Sequence, residues 1–124
     1  MSNKALIVDD RPDNLFLLAE ILNMLGYSSD SRPNGLEGLH TVSQNEYQVV
    51  FMDIEMPVKN GFEATTEIRT TVKEPNCFVP IIAISAHPQY FFEQKIEAAG
   101  FTDYISKPYT FDKVKAALTK LNLL

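Results

Sequence analysis

Two adjacent carboxylates, Asp9-Asp10, follow a short apolar run, Ala5-Leu6-Ile7-Val8. A second run, Tyr47 to Met52, is broken only by Gln48 and ends at Asp53. A third, Ile81-Ile82-Ala83-Ile84, ends at Ser85-Ala86, and Tyr104-Ile105 leads into Ser106-Lys107-Pro108. Three carboxylates brought to one point repel each other, and at least one stays protonated unless a cation intervenes. A hard divalent cation such as Mg²⁺ resolves the repulsion, because it prefers carboxylate oxygen and water as ligands. A lysine and a short hydroxyl beside that cation would cradle the oxygens of a phosphoryl group. Phosphoryl transfer is catalysed mainly by such positioning and charge neutralisation. A carboxylate can itself be the nucleophile, giving an acyl phosphate on the protein.

These residues converge only if the chain places them together. Ala5 to Val8 predicts a buried strand. Pro12 suits the first turn of a helix, where its missing N–H is harmless. Leu15, Leu18, Leu22 and Leu25 then recur at helical spacing until Gly26. Ser28 to Arg32 predicts a weaker strand, Asn34-Gly35 a turn, and Leu36, Leu39 and Val42 a short helix. Tyr47 to Met52 reads as the third strand. Glu63 to Thr71 reads as a helix with Ala64 and Ile68 inward, and residues 73–80 as a loop. Ile81 to Ile84 is the fourth strand. Phe92, Ile96 and Ala99 mark a helix closed by Gly100. Tyr104-Ile105 is the last strand, and Phe111, Val114, Leu118 and Leu121 the last helix.

The result is five βα units. Continuous apolar strands alternating with amphipathic helices indicate an α/β domain with a parallel sheet covered on both faces. In such open sheets ligands bind beyond the carboxyl ends of the strands. Asp9, Asp10, Asp53, Ser85 and Lys107 all lie at or just after those ends.

Composition narrows the partners. The chain has 124 residues, 45% hydrophobic, which suits one domain spanning 1–124. A net charge of -5 offers no basic footprint for direct nucleic-acid binding. With one cysteine, Cys77, no internal disulfide forms. No apolar stretch approaches the roughly 18 residues of a membrane span, and a soluble, cytoplasmic chain is expected.

The motifs in order now resemble a known family. Asp9-Asp10 after an apolar strand, Asp53-Ile54-Glu55-Met56-Pro57 with Gly61, Ser85-Ala86, and Tyr104-Ile105-Ser106-Lys107-Pro108 resemble the response-regulator receiver domain of two-component signalling. The likeness runs from about Lys4 to Leu121. The stretch from Met56 to Thr65 is most similar to receivers attached to hybrid histidine kinases, and stand-alone single-domain regulators are also similar. The resemblance implies a flavodoxin-like (βα)5 doubly wound sheet of five parallel strands. It implies Asp53 as phosphoacceptor, with Asp10 binding Mg²⁺ (or Mn²⁺) directly, Asp9 acting mostly through water, and the Glu55 backbone carbonyl as a further ligand. Lys107 would pair with the Asp53 carboxylate and then with its phosphate. Ser85 would donate to a phosphoryl oxygen, Tyr104 would be the rotating aromatic of the switch, and Lys107-Pro108 would be a cis bond. The phosphoryl donor would be a histidine kinase or a histidine phosphotransfer protein. A downstream protein would meet the face of helix 4, strand 5 and helix 5. On this reading the chain catalyses only its own phosphorylation and dephosphorylation and is not a conventional enzyme.

Some positions depart from the common pattern. Arg11 places a positive charge after the acidic pair and would weaken metal binding or contact a partner. Ser85 stands where threonine is also common. Glu55 and His87, two residues beyond Asp53 and Ser85, would reach the site rim and tune hydrolysis. His40 and His87 read otherwise as solvated side chains, and Cys77 as an exposed thiol. Tyr90 and Phe91 are placed with Tyr109 on the partner face. Three other functions fit these residues less well. A haloacid-dehalogenase-type phosphatase needs two acids spaced Asp-x-Asp, against the adjacent pair here. A flavodoxin-like cofactor binder needs a Ser/Thr/Gly-rich loop where this chain has Asp-Asp-Arg-Pro-Asp. A degenerate receiver serving only as an interaction module would lack key residues that are all present.

Overall fold

The computed structural model describes residues 3–86 and 90–124, with the side chains of the helix beginning at Tyr90 described from Gln94 onward. Five parallel strands, β1 (Lys4–Val8), β2 (Ser28–Arg32), β3 (Val49–Asp53), β4 (Ile81–Ser85) and β5 (Asp103–Ser106), form one sheet in the order β2-β1-β3-β4-β5. Five helices join them: α1 (Pro12–Met24), α2 (Gly35–Gln44), α3 (Gly61–Thr71), α4 (Tyr90–Ala99) and α5 (Phe111–Lys120). The predicted doubly wound α/β architecture is therefore the one observed.

Strand alternation explains how a continuous apolar run buries both faces. Ala5 and Ile7 face one core with Phe51, Ile82 and Ile84, closed by Leu18, Ile21 and Leu22 of α1 and Val114 and Leu118 of α5. Leu6 and Val8 face the other core with Val50, Met52, Ile81 and Ala83, closed by Val42 of α2, Ala64 and Ile68 of α3 and Ile96 of α4. Each large side chain fully buried this way contributes about 1.5–3 kcal/mol.

Several local expectations change. Asn34-Gly35 is a helix start, not a turn: the Asn34 side chain accepts from the Glu37 N–H, 2.9 Å away, and Gly35 opens α2. Leu36 is on the solvent side of that helix and Phe111 is exposed at the start of α5, so neither belongs to the core. Helix α3 begins two residues before Glu63, because Asn60 and Glu63 form a reciprocal capping box. Residues 73–80 contain a short 3₁₀ turn, Asn76–Phe78, which buries Cys77 rather than exposing its thiol. Gly26 and Gly100, at φ 89° and 103°, end α1 and α4 in the left-handed conformation that side chains avoid.

The chain reverses its winding direction between β1 and β3. The crevice at this switch point lies between the carboxyl ends of those strands. Asp9 follows β1 and Asp53 closes β3, so the topology alone brings the acids together.

Candidate functional site

Asp9, Asp10 and Asp53 each offer a carboxylate oxygen, and these atoms lie within 4.8 Å of one another. Asp9 is fully buried and Asp53 nearly so, whereas Asp10 is exposed. The Asp9 carboxylate is held at both ends. Its Oδ1 accepts the Arg11 backbone N–H at 3.0 Å, and its Oδ2 accepts the Tyr109 hydroxyl at 2.9 Å. Asp53 Oδ1 accepts the Glu55 N–H at 3.3 Å, and Oδ2 accepts Lys107 Nζ at 3.1 Å. One ammonium thus faces a cluster of three carboxylates. Burial, and next the charge of Asp9, push the Asp53 carboxyl up to about 6 despite the opposing pull of Lys107. A divalent cation would relieve that excess negative charge, and the oxygen-only donor set suits Mg²⁺. The residues present therefore fit such an ion.

The loops that carry these groups are fixed locally. After β3 the chain turns back on itself, with the Gly61 N–H donating to the Ile54 carbonyl at 2.9 Å. A Cβ on Gly61 would lie 2.4 Å from the Asp53 carbonyl oxygen, so only glycine allows this approach. Within the loop Val58 takes φ 70° while the Lys59 N–H reaches the Pro57 carbonyl at 2.8 Å, a tight γ-turn. After β5 the Lys107 N–H donates to the Ser85 carbonyl at 2.8 Å, which sets the lysine beside the end of β4. Lys113 of α5 donates to the Ser106 carbonyl and hydroxyl and to the Pro108 carbonyl, at 3.3, 3.0 and 3.1 Å. The Lys107-Pro108 bond is cis, as the motif implied, and Glu74-Pro75 is a second cis bond that no motif signals.

The structure brings Asp9, Asp10, Asp53 and Lys107 together and puts buried Ser85 at the adjoining strand end. Tyr104 lies half-buried on β5 and packs against the α2–α4 core. The Glu55 side chain is exposed. The Arg11 guanidinium pairs with Asp13 at 3.3 Å, and that carboxylate holds it above its ordinary value. His87 and the side chains of Tyr90, Phe91 and Phe92 lie outside the described residues. Tyr109 corrects the sequence expectation: it is not on an exposed partner face. It is buried among α1 and α5 residues, and its hydroxyl serves Asp9. Burial, followed by the charge of Asp9, pushes its phenol well above the ordinary range.

The response regulator receiver domain family matches residues 5–119. The chain is 37% identical over 117 residues to the sensor protein EvgS of Escherichia coli K12, a match covering 94% of this chain and 9% of that protein. It is 33% identical over 114 residues to the sensor histidine kinase RcsC of the same organism, covering 92% of this chain and 12% of that protein. The chain thus spans only a small part of these relatives. Among solved structures it is similar to the receiver domain of sensor histidine kinase PA1611 from Pseudomonas aeruginosa, which carries a magnesium ion in its active site cleft. The TM-score is 0.86 at 29% identity, covering 97% of each chain. It is also similar to the receiver domain of Saccharomyces cerevisiae Ssk1, crystallised with the histidine phosphotransfer protein Ypd1. There the TM-score is 0.85 at 25% identity, covering 99% of this chain and 92% of that one. With residues 5–119 matched and the acids gathered at the switch point of the sheet, the chain belongs to the response regulator receiver domain family.

Proposed function

We propose that Asp53 accepts a phosphoryl group and that this single event is the chain's signalling chemistry. The observation that carries the reading is the Asp53 carboxylate, buried beside Asp9 and Asp10 and paired with Lys107 at 3.1 Å. Asp10, Asp53 and the backbone carbonyl of Glu55 would hold Mg²⁺, or Mn²⁺ in its place, with Asp9 acting through water. Bound there, the ion supplies positive charge for the phosphoryl oxygens. An Asp53 oxygen attacks phosphorus and forms a new O–P bond while the donor's P–N bond breaks. The departing imidazole keeps the electron pair and takes up a proton. Lys107 moves its pairing from the carboxylate to the new phosphate, and the Ser85 hydroxyl donates to a phosphoryl oxygen. Water later attacks the acyl phosphate, releasing inorganic phosphate and restoring the carboxylate. Arg11, Glu55 and His87 would tune that lifetime from the rim. The chain acts on itself alone and turns over no separate substrate.

The donor is a phosphohistidine on a kinase or phosphotransfer protein, a reading supported by the kinase relatives and by the partner of the Ssk1 receiver. Output leaves through the α4–β5–α5 face, where Tyr104 turns as Ser85 moves to the phosphate. A groove of about 400 Å³ between β5 and α5, lined by Tyr104, Ser106, Lys113 and Lys120 among others, gives a partner side chains to grip. We place the single domain, residues 1–124, in the cytoplasm, without direct nucleic-acid contact; no helix among the described residues is long and apolar enough to cross a membrane. Incubation with acetyl phosphate should add one phosphoryl group by intact mass in Mg²⁺ and none in EDTA. An equal gain in EDTA would refute the metal-assisted reading.

A further inference from the structure

Tyr109 is 5% exposed and sits in the core between α1 and α5, yet its polar end leaves that core for the acid cluster. Its hydroxyl meets Asp9 Oδ2 at 2.9 Å across 100 residues of sequence. A carboxylate can only accept, so the phenol is the donor, and a donor to a charged oxygen makes one of the stronger hydrogen bonds. The other Asp9 oxygen is already held by the Arg11 N–H at 3.0 Å. With both oxygens pinned, the plane of this buried carboxylate is fixed. The same tyrosine leaves the loop that carries Lys107, a loop fastened to Ser85 by its backbone and to α5 by Lys113. One side chain thus joins the acid-bearing loop after β1 to the lysine-bearing loop after β5.

We propose that Tyr109 is a positioning residue for the metal site: its hydroxyl orients Asp9 toward the waters of a bound Mg²⁺ and ties that acid to the loop of Lys107. The proposal rests on the reading of Asp9, Asp10 and Asp53 as a Mg²⁺ site. Partners that orient a metal's carboxylates usually govern its affinity, by roughly 10-fold or more. Tyr109 also gives metal binding a direct route to Lys107, because any movement of Asp9 pulls on the lysine's own loop.

Tyr109→Phe removes only the hydroxyl. Mg²⁺ titration of the full chain, followed by backbone amide NMR shifts, should give a dissociation constant raised on the order of tenfold over wild type. Tyr27→Phe is the matched control. Tyr27 is also buried, and its hydroxyl bonds the Leu123 carbonyl at the far end of the fold. Its Mg²⁺ affinity should match wild type. An unchanged or tighter constant in Tyr109→Phe overturns the proposal, as does an equal weakening in both variants, which would report a general softening. If Tyr109→Phe does not fold, the wild type still decides: Mg²⁺ should shift the Tyr109 ring and the Lys107 amide along the same binding curve as the Asp10 amide, and a silent Tyr109 ring overturns the proposal. A wild type that binds no Mg²⁺ would instead remove the metal site itself.

Discussion

Lys107 Nζ lies 3.1 Å from Asp53 Oδ2, with the aspartate side chain 3% exposed and the lysine 23%. This pair supplies the charge balance of the metal-free site. Lys107→Ala leaves a buried carboxylate without its cation, beside another acid. Because the lysine is partly exposed, the loss of metal-free stability at neutral pH should lie between that of a surface and of a fully buried pair, about 1–2 kcal/mol, and Mg²⁺ should restore most of it. Urea unfolding with and without Mg²⁺ checks both statements. Some phosphoryl transfer should persist in this variant, since the metal neutralises most of the charge.

The Asp53 carboxyl, raised from 3.8 to about 6, makes a pH signature. Between those values the folded state holds a proton that the unfolded state has released, so metal-free stability falls as pH rises through the window. The full penalty is present above about 6, on the order of 3 kcal/mol. Asp53→Asn should therefore be more stable than wild type at pH 7 without Mg²⁺, and should lose this slope. Because proton and metal compete for the same carboxylate, wild-type Mg²⁺ affinity should rise as pH rises through about 6. Thermal unfolding from pH 4 to pH 8 and Mg²⁺ titrations at each end measure the two effects; an Asp53→Asn variant less stable than wild type at pH 7 would mean that the buried charge carries no such penalty.

Val58 is a β-branched residue at φ 70° and 76% exposed, so its backbone is strained and its side chain packs little. Glycine takes this conformation freely, at some entropic cost in the unfolded chain. Val58→Gly should stabilise the protein by about 1 kcal/mol, read as a higher urea midpoint with an unchanged slope. A destabilised variant would show that the valine contacts matter more than the turn.

Most of this site was legible because a parallel sheet sends the ends of its strands to one edge. Asp9, Asp10, Asp53, Ser85 and Lys107 could be placed from the four apolar runs that precede them, without any side-chain geometry. The helix starts were harder. Asn34-Gly35 has the chemistry of both a turn and a helix cap, and only the bond to Glu37 separates them. Leu36 fits a helical stripe, but Gly35 and Gly38 are the α2 positions pressed against neighbouring backbone and Val8, which turns Leu36 outward. Tyr109 escapes the sequence for a different reason. A tyrosine after Lys-Pro reads as surface, and nothing local signals that its hydroxyl finds an acid 100 residues earlier. Its closeness in sequence to Lys107 was the one available hint.

Beryllofluoride, a mimic of the phosphoryl group, should shift amide resonances of Ser85, Ala86 and residues 104–113 more than those of α1 or the outer side of α2. The motive is the hydrogen bond from the Lys107 N–H to the Ser85 carbonyl, which joins the two strand ends bordering the α4–β5–α5 face. Shifts confined to the Asp53 loop would mean that the signal takes another route.

Among all the acids gathered at this edge, Asp53 is the one proposed to take the phosphoryl group. The direct test is reaction of the wild type and of Asp53→Asn with acetyl phosphate and Mg²⁺, followed by peptide mapping of the modified residue. The wild type should carry one phosphoryl group, located on Asp53, and the variant none. A phosphoryl group mapped to Asp9, Asp10 or Ser85, or an unchanged mass gain in Asp53→Asn, would contradict it.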